Sequence, residues 1–211
     1  MITDVLILSK THMHGGKCCV GGMTVTGRNV RLLTSLGENQ PEKTEFIPRQ
    51  IWKITFIEKS HLNPPHVEDV CIQSQELKET LGPDIKIIDF IKQRDIHIWQ
   101  GNPDLLFDGL LKWTKNGSGY INKEAIPNQS VGFWISDRNL TRKEFKDEIR
   151  FNYPINVGWR SIKYVGYEPP VDIIPTGTLL RVSLARWWQQ DVKAEERCYL
   201  QLSGWYDLIN L

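Results

Sequence analysis

The chain has 211 residues, with 26 Lys and Arg against 25 Asp and Glu, for a formal charge of +1. A 40% hydrophobic and 24% charged composition is that of a folded globular protein and excludes disorder. The charge balance excludes a global field for polyanions, so any nucleic-acid site must be a local patch.

No stretch approaches the roughly 20 apolar residues of a membrane span. The first residues lack the basic-then-apolar pattern of a secretion signal, and a cytoplasmic, membrane-free setting is expected. The four cysteines, two of them adjacent (Cys18, Cys19), do not make a secreted framework and read as reduced thiols.

In chain order, residues 2–9 read as a first strand. A Gly-containing turn at 11–17 leads into a second strand over 18–25, whose Gly21-Gly22 pair marks a bulge or sharp bend. Gly27 turns the chain into a third strand over 29–34, and this glycine-interrupted meander fits a small, strongly curved barrel. Residues 36–49 are a polar loop. Residues 50–59 alternate, with Trp52, Ile54 and Phe56 on one face and Lys53, Thr55 and Ile57 on the other. Asn63-Pro64-Pro65 breaks that strand, and 66–74 form the next. From Asp84, a helix runs to about Arg94 on Ile85, Ile88, Phe90 and Ile91. A second opens at Pro103-Asp104, capped by Asn102, with Leu105, Leu106, Leu110 and Trp113 as its apolar stripe. Strands return at 130–136, 145–152 and 158–165, and 178–188 pairs with 197–206 across a charged loop.

This plan is mainly β with a small α-helical insert. It predicts two OB-like small β-barrels packed together, over residues 1–80 and 126–211, with the insert over 81–125. A single larger barrel is the rival architecture.

The C-terminal hairpin carries the first candidate site. In a regular strand, Leu180, Val182 and Leu184 share the core face, and Arg181, Ser183, Ala185 and Trp187 the other. On its partner, Cys198, Leu200 and Leu202 face inward, and Tyr199, Gln201, Ser203 and Trp205 outward. Arg181 and Arg186 with Trp187 and Tyr199 then make an aromatic and cationic surface of the kind that holds single strands, each stacked base being worth about 1–3 kcal/mol. Packing of Trp187, Trp188 and Trp205 between the two halves is the other reading, and it stays open.

The second candidate is the glycine-rich loop bearing Lys10, His12, His14 and Lys17. In an OB barrel this loop is one of those that contact ligand, and with Arg28 and Arg31 it would make a local positive patch; a solvated polar loop is the other reading, and it stays open. His12-x-His14 ahead of Cys18-Cys19 offers zinc-type ligands at a spacing that fits no established zinc pattern, so neither metal nor cofactor is expected. Further on, Arg138, Arg142, Lys143, Lys146 and Arg150 are interleaved with Glu144, Asp147 and Glu148 and read as a solvated, salt-bridged segment. Arg160 and Lys163 flank Trp159 and Tyr164, a pattern of stacking plus charge. For catalysis, Cys18 or Cys19 beside His12 or His14 lacks an orienting third group, and adjacent Glu68 and Asp69 point to opposite faces. No nucleotide fingerprint or metalloprotease helix is present, and no catalytic residue is assigned.

Residues 177–188 (Gly-Thr-Leu-Leu-Arg-Val-Ser-Leu-Ala-Arg-Trp-Trp) and 196–206 (Glu-Arg-Cys-Tyr-Leu-Gln-Leu-Ser-Gly-Trp-Tyr) resemble the prokaryotic dual OB-containing domain family. The Gly16-Lys17-Cys18 turn, the strand from Gly27 to Leu33 and the run Pro65-His66-Val67-Glu68-Asp69-Val70 are similar to it as well. The resemblance spans nearly the whole chain. It implies two OB folds in one polypeptide and a nucleic-acid role in a bacterial defence or conflict system, and it carries over no catalytic residues. Three functions follow as expectations. The leading one is a non-enzymatic module binding nucleic acid, single strands favoured. The second is an adaptor docking a nuclease or helicase from the same system. The third is a small enzyme or nucleotide sensor built on His12, His14 and Cys18.

Overall fold

A computed structural model describes residues 1–208. Within them the chain forms two units. Residues 1–63 and 67–96 make the first; residues 64–66 group with everything from His97 onward as the second.

The first unit contains β1 (Ile2–His12), β2 (Lys17–Thr24), β3 (Asn29–Leu33), β4 (Gln40–Pro41), β5 (Gln50–Glu58), β6 (Asp69–Thr80) and α1 (Ile87–Lys92). The strands lie in the order β1-β5-β6-β3-β2, and β2 pairs back onto β1, closing a barrel. Every junction is antiparallel except β3 with β6, which is the Greek-key order of an OB barrel. Curvature brings β2 hard against β1 at Gly22, where a Cβ would lie 2.6 Å from Val5 Cγ1 and 2.9 Å from the Leu6 carbonyl oxygen. Only glycine fits there, as its position in the sequence anticipates. Val5, Ile7, Val20, Met23 and Ile54 are wholly buried.

The second unit begins with β7 (Ile98–Gln100), a 3₁₀ segment (Pro103–Gly109), β8 (Lys112–Trp113) and β9 (Gly119–Asn122). There follow β10 (Val131–Ile135), β11 (Leu140–Phe145), β12 (Glu148–Pro154), β13 (Trp159–Tyr164), β14 (Ile173–Ile174), β15 (Leu179–Leu184) and β16 (Arg197–Tyr206). The sheet runs β11-β12-β13-β16-β15-β10, with β13 and β16 parallel. Because β10 and β11 are two arms of one stretch bent at 136–139, the path returns to its own start and repeats the topology of the first barrel. The bend is held by Ser136, whose hydroxyl donates to the Arg138 carbonyl at 2.7 Å. Asn139 adds a second tie, its Oδ1 accepting from the Thr176 amide at 2.8 Å. Trp134, Phe151, Ile162, Leu180, Val182 and Leu202 fill the interior. The chain is therefore mainly β, with two OB-like barrels and little helix.

The elements depart from expectation where local signals were weak or overruled. Residues 145–152 are not one strand. β11 and β12 meet in a tight turn at Lys146 and Asp147, both at positive φ (48° and 61°) without a glycine to announce it. Asn102 does cap the segment after it, accepting from the Asp104 amide at 2.8 Å. The helix stops within a turn, however, because Phe107 and Asp108 swing to positive φ and drive Leu106 and Phe107 into the core. The first helix is a six-residue remnant. No helix among the described residues is long and apolar enough to cross a membrane.

Candidate nucleic-acid interface

On β11, β12 and β13 the alternation of side chains sends Phe151, Tyr153, Ile162 and Tyr164 to the core. The opposite parity presents Lys143, Phe145, Arg150, Asn152, Trp159, Ser161 and Lys163. The ladder aligns these in cross-strand rows: Lys143, Arg150 and Lys163 in one, Thr141, Asn152 and Ser161 in the next. Three adjacent cations repel, and Glu148 offsets them, 3.1 Å from Arg150 and 2.7 Å from Lys163. Burial disfavours the Glu148 carboxylate, but Lys163 and Arg150 outweigh it and hold its pKa below the ordinary value.

Arg150 is also fixed from other sides. Its Nε donates to Ser161 Oγ at 2.9 Å, and its terminal nitrogen donates to Ser118 Oγ at 2.8 Å and to the Ser161 carbonyl at 3.0 Å. It is a strut of the floor. By contrast, Lys115 and Lys143 are exposed and make no ion pair among the described residues.

The loop at 114–118 supplies a wall. Its Gly117 carbonyl accepts from the Ser161 amide at 2.7 Å, and Thr114 Oγ1 accepts from the Ser118 amide at 3.0 Å. Floor and wall enclose a groove of about 680 Å³, rimmed by Trp159, Phe145 and Val157. These three side chains are 56%, 56% and 90% exposed, so the apolar rim is open to a ligand. Arg160, of the inward parity, closes one end. Its guanidinium lies 4.4 Å from the Trp113 ring centroid, and its Nε is 3.3 Å from Asp104 Oδ1. It also lines a smaller hollow of about 380 Å³ with Arg138, Tyr153 and Asn102.

The cations expected on the first barrel are already engaged. Lys10 Nζ donates to the Glu42 carbonyl at 2.7 Å, and Lys17 pairs with Glu38 at 2.7 Å. Arg28 grips Glu58 through two bonds of 2.6 and 2.8 Å, and Arg31 is paired with buried Asp69. His12 and His14 are exposed. The Cys18 thiol points inward, donating to the Pro41 carbonyl at 3.4 Å, and burial pushes its pKa up. A thiolate nucleophile beside His12 is not what this geometry builds.

The C-terminal hairpin corrects one expectation of exposure. Arg181 faces away from Leu180, Val182 and Leu184 as expected, yet it is 1% exposed, its guanidinium 5.3 Å from the ring centroid of Phe133, its cross-strand partner on β10. It belongs to the fold and does not present to solvent. Arg186 is half-buried. The half-buried Trp187 donates its indole N–H to the Pro64 carbonyl at 2.7 Å, with Lys123 Nζ 3.7 Å above its ring. Tyr199 sits between Tyr120 and Trp188, at centroid separations of 6.0 and 6.1 Å. Trp205 closes on Tyr164 at 4.9 Å, against the barrel core. Cys198 is buried 3.8 Å from His66 Nε2, and burial pushes its thiol up to about 12. Among the described residues, no three His, Cys, Asp or Glu side chains cluster as metal ligands would.

Of the groove residues, the sequence reading selected Arg160 and noted Trp159 and Lys163. It set Lys143 and Arg150 aside as a solvated segment and passed over Phe145, Asn152 and Lys115. Alternation around the hidden turn at 146–147 was the signal that could have found them.

A closed Greek-key barrel and a second sheet of the same strand order, the latter with an open cationic and aromatic groove across its first three strands, define a protein of paired OB-like folds. The chain belongs to the dual OB-containing domain family, whose model matches residues 3–205. Among solved structures it is similar to a murine DNA-binding protein bound to double-stranded DNA, at 13% identity over 96% of this chain and 90% of that one, TM-score 0.33. It is also similar to the HINa domain of Ifi202 in complex with 20-bp double-stranded DNA, at 10% identity over 97% and 96%, TM-score 0.36. The HINb domain of p204 matches at 13% identity over 96% of both chains, TM-score 0.35. No curated protein sequence matches the chain.

Proposed function

We propose that this chain is a non-enzymatic module that binds nucleic acid, single strands in preference to duplex, along the groove of its second barrel. The supporting observation is the pairing of unengaged Lys115 and Lys143 with exposed Trp159 and Phe145 around one groove. Bases stack on such rings at about 1–3 kcal/mol each while cations track the backbone, and the face of OB strands two and three is where this fold class takes oligonucleotides. The bacterial defence setting implied by the family resemblance, and the cytoplasmic location expected from the N-terminal residues and the cysteines, are part of the same proposal.

The test is anisotropy of labelled single-stranded and duplex DNA and RNA across a salt series. Single strands should bind more tightly than duplex, with affinity falling as salt rises. Trp159→Ala should weaken binding about tenfold or more, and Lys143→Ala should reduce the salt slope by roughly 0.7. Absence of binding at low salt would overturn the reading. Weight would then pass to protein docking, for which the Trp188, Tyr199 and Tyr120 cluster with Arg197 offers hot-spot chemistry.

A further inference from the structure

Asn152 occupies the middle of the groove floor, flanked across the ladder by Thr141 and Ser161. Its Oδ1 is buried and meets no hydrogen-bond donor. Of these two neighbours Ser161 is already engaged, since Arg150 donates to both its hydroxyl and its carbonyl. A buried polar atom without a partner is a standing cost in a folded protein, and it marks a place where a ligand completes the bonding. Trp159 stands one diagonal step away on the same outer face, paired with Pro154 two residues along β12.

We propose that Asn152 is the base-reading residue of this groove. A nucleobase lying on Trp159 turns its edge onto the carboxamide, which rotates to bring the buried Oδ1 to the groove beside its amide nitrogen, one acceptor and one donor side by side. Asparagine makes that bidentate pairing with N6 and N7 of adenine. The inference rests on the nucleic-acid reading above and adds to it the feature that selects a base. Lys115 and Lys143 contact backbone regardless of sequence; Asn152 does not.

The experiment uses a short labelled single strand in which one position at a time carries each of the four bases, titrated against the full chain by anisotropy. The wild type should favour adenine at one position by about tenfold. Asn152→Ala should flatten that preference while leaving the salt slope intact. Asn152→Asp, of the same shape but acceptor-only, should turn it toward cytosine, whose N4 donates. Thermal melting confirms that both variants fold. A wild type without base preference at any position, or an Asn152→Ala protein that keeps it, overturns the assignment while the binding site stands. No binding of any strand by the wild type removes the nucleic-acid reading itself, and the inference with it.

Discussion

At Gly117 the backbone has a φ of +79°, and a Cβ there would run into the carbonyl oxygen of Trp159. An L side chain pays for the left-handed conformation, at roughly 1 kcal/mol or more, and must also push the wall loop off β13. Gly117→Ala should therefore lower the melting temperature and weaken oligonucleotide binding together. Melting and anisotropy on one preparation check this, and a variant with both unchanged would show that the loop does not shape the groove. Residue by residue, the sequence was legible where one strict alternation held: Leu180, Val182 and Leu184 are inside, as are Cys198, Leu200 and Leu202. The burial of Arg181 was not, because its outward face is covered beside Phe133 of β10, a tertiary fact with no local signature.

Among elements, β12 and β13 are tied by the bond from Lys163 to Glu148, and this tie depends on pH. The folded Glu148 has a pKa below its ordinary value of 4.5, so its stabilisation is fully present above that value. It is lost as pH falls through the lower folded pKa. Glu148→Gln should accordingly show a shallower loss of melting temperature than the wild type as pH is taken below about 4.5. Parallel acid dependence in the two proteins would place the acid-sensitive tie elsewhere. The strands themselves were read well from residues 2–34 and 197–206, where branched and aromatic residues alternate between glycines. The β11–β12 hairpin was missed because Lys146-Asp147 adopts the conformation that Asn-Gly usually signals. The 3₁₀ segment was over-read as helix because its cap and proline are correct, and only burial of Phe107 halts it. Residues 73–80 of β6 are exposed and pair on one side alone, with β5. Two register shifts and the charges of Glu76, Lys78 and Glu79 blunt that edge against pairing with another chain.

Across the whole molecule, a formal charge of +1 conceals an uneven distribution of engaged and unengaged cations. Lys17 and Arg28 hold carboxylates, whereas Lys115 and Lys143 hold none among the described residues. Surface pairs of the first kind contribute little to stability, about 0–1 kcal/mol, but they neutralise the charge a phosphate would seek. Lys17→Ala with Arg28→Ala should leave oligonucleotide affinity and salt slope within about twofold of the wild type. Lys115→Ala with Lys143→Ala should reduce both. The reverse result would relocate the phosphate track to the first barrel. Pairing of this kind is invisible in a composition, which counts charges without their partners; hence the two-barrel plan was legible and the engagement of each cation was not.

Of the eight tryptophans, only Trp159 and Trp188 are more than half exposed, at 56% and 53%. The rest emit from drier surroundings, so these two dominate the long-wavelength, quencher-accessible part of the intrinsic fluorescence. Replacing Trp188 with Phe leaves the rim of the groove as the main solvent-facing emitter. Any occupancy of that groove should then be read by light, with no label on either partner.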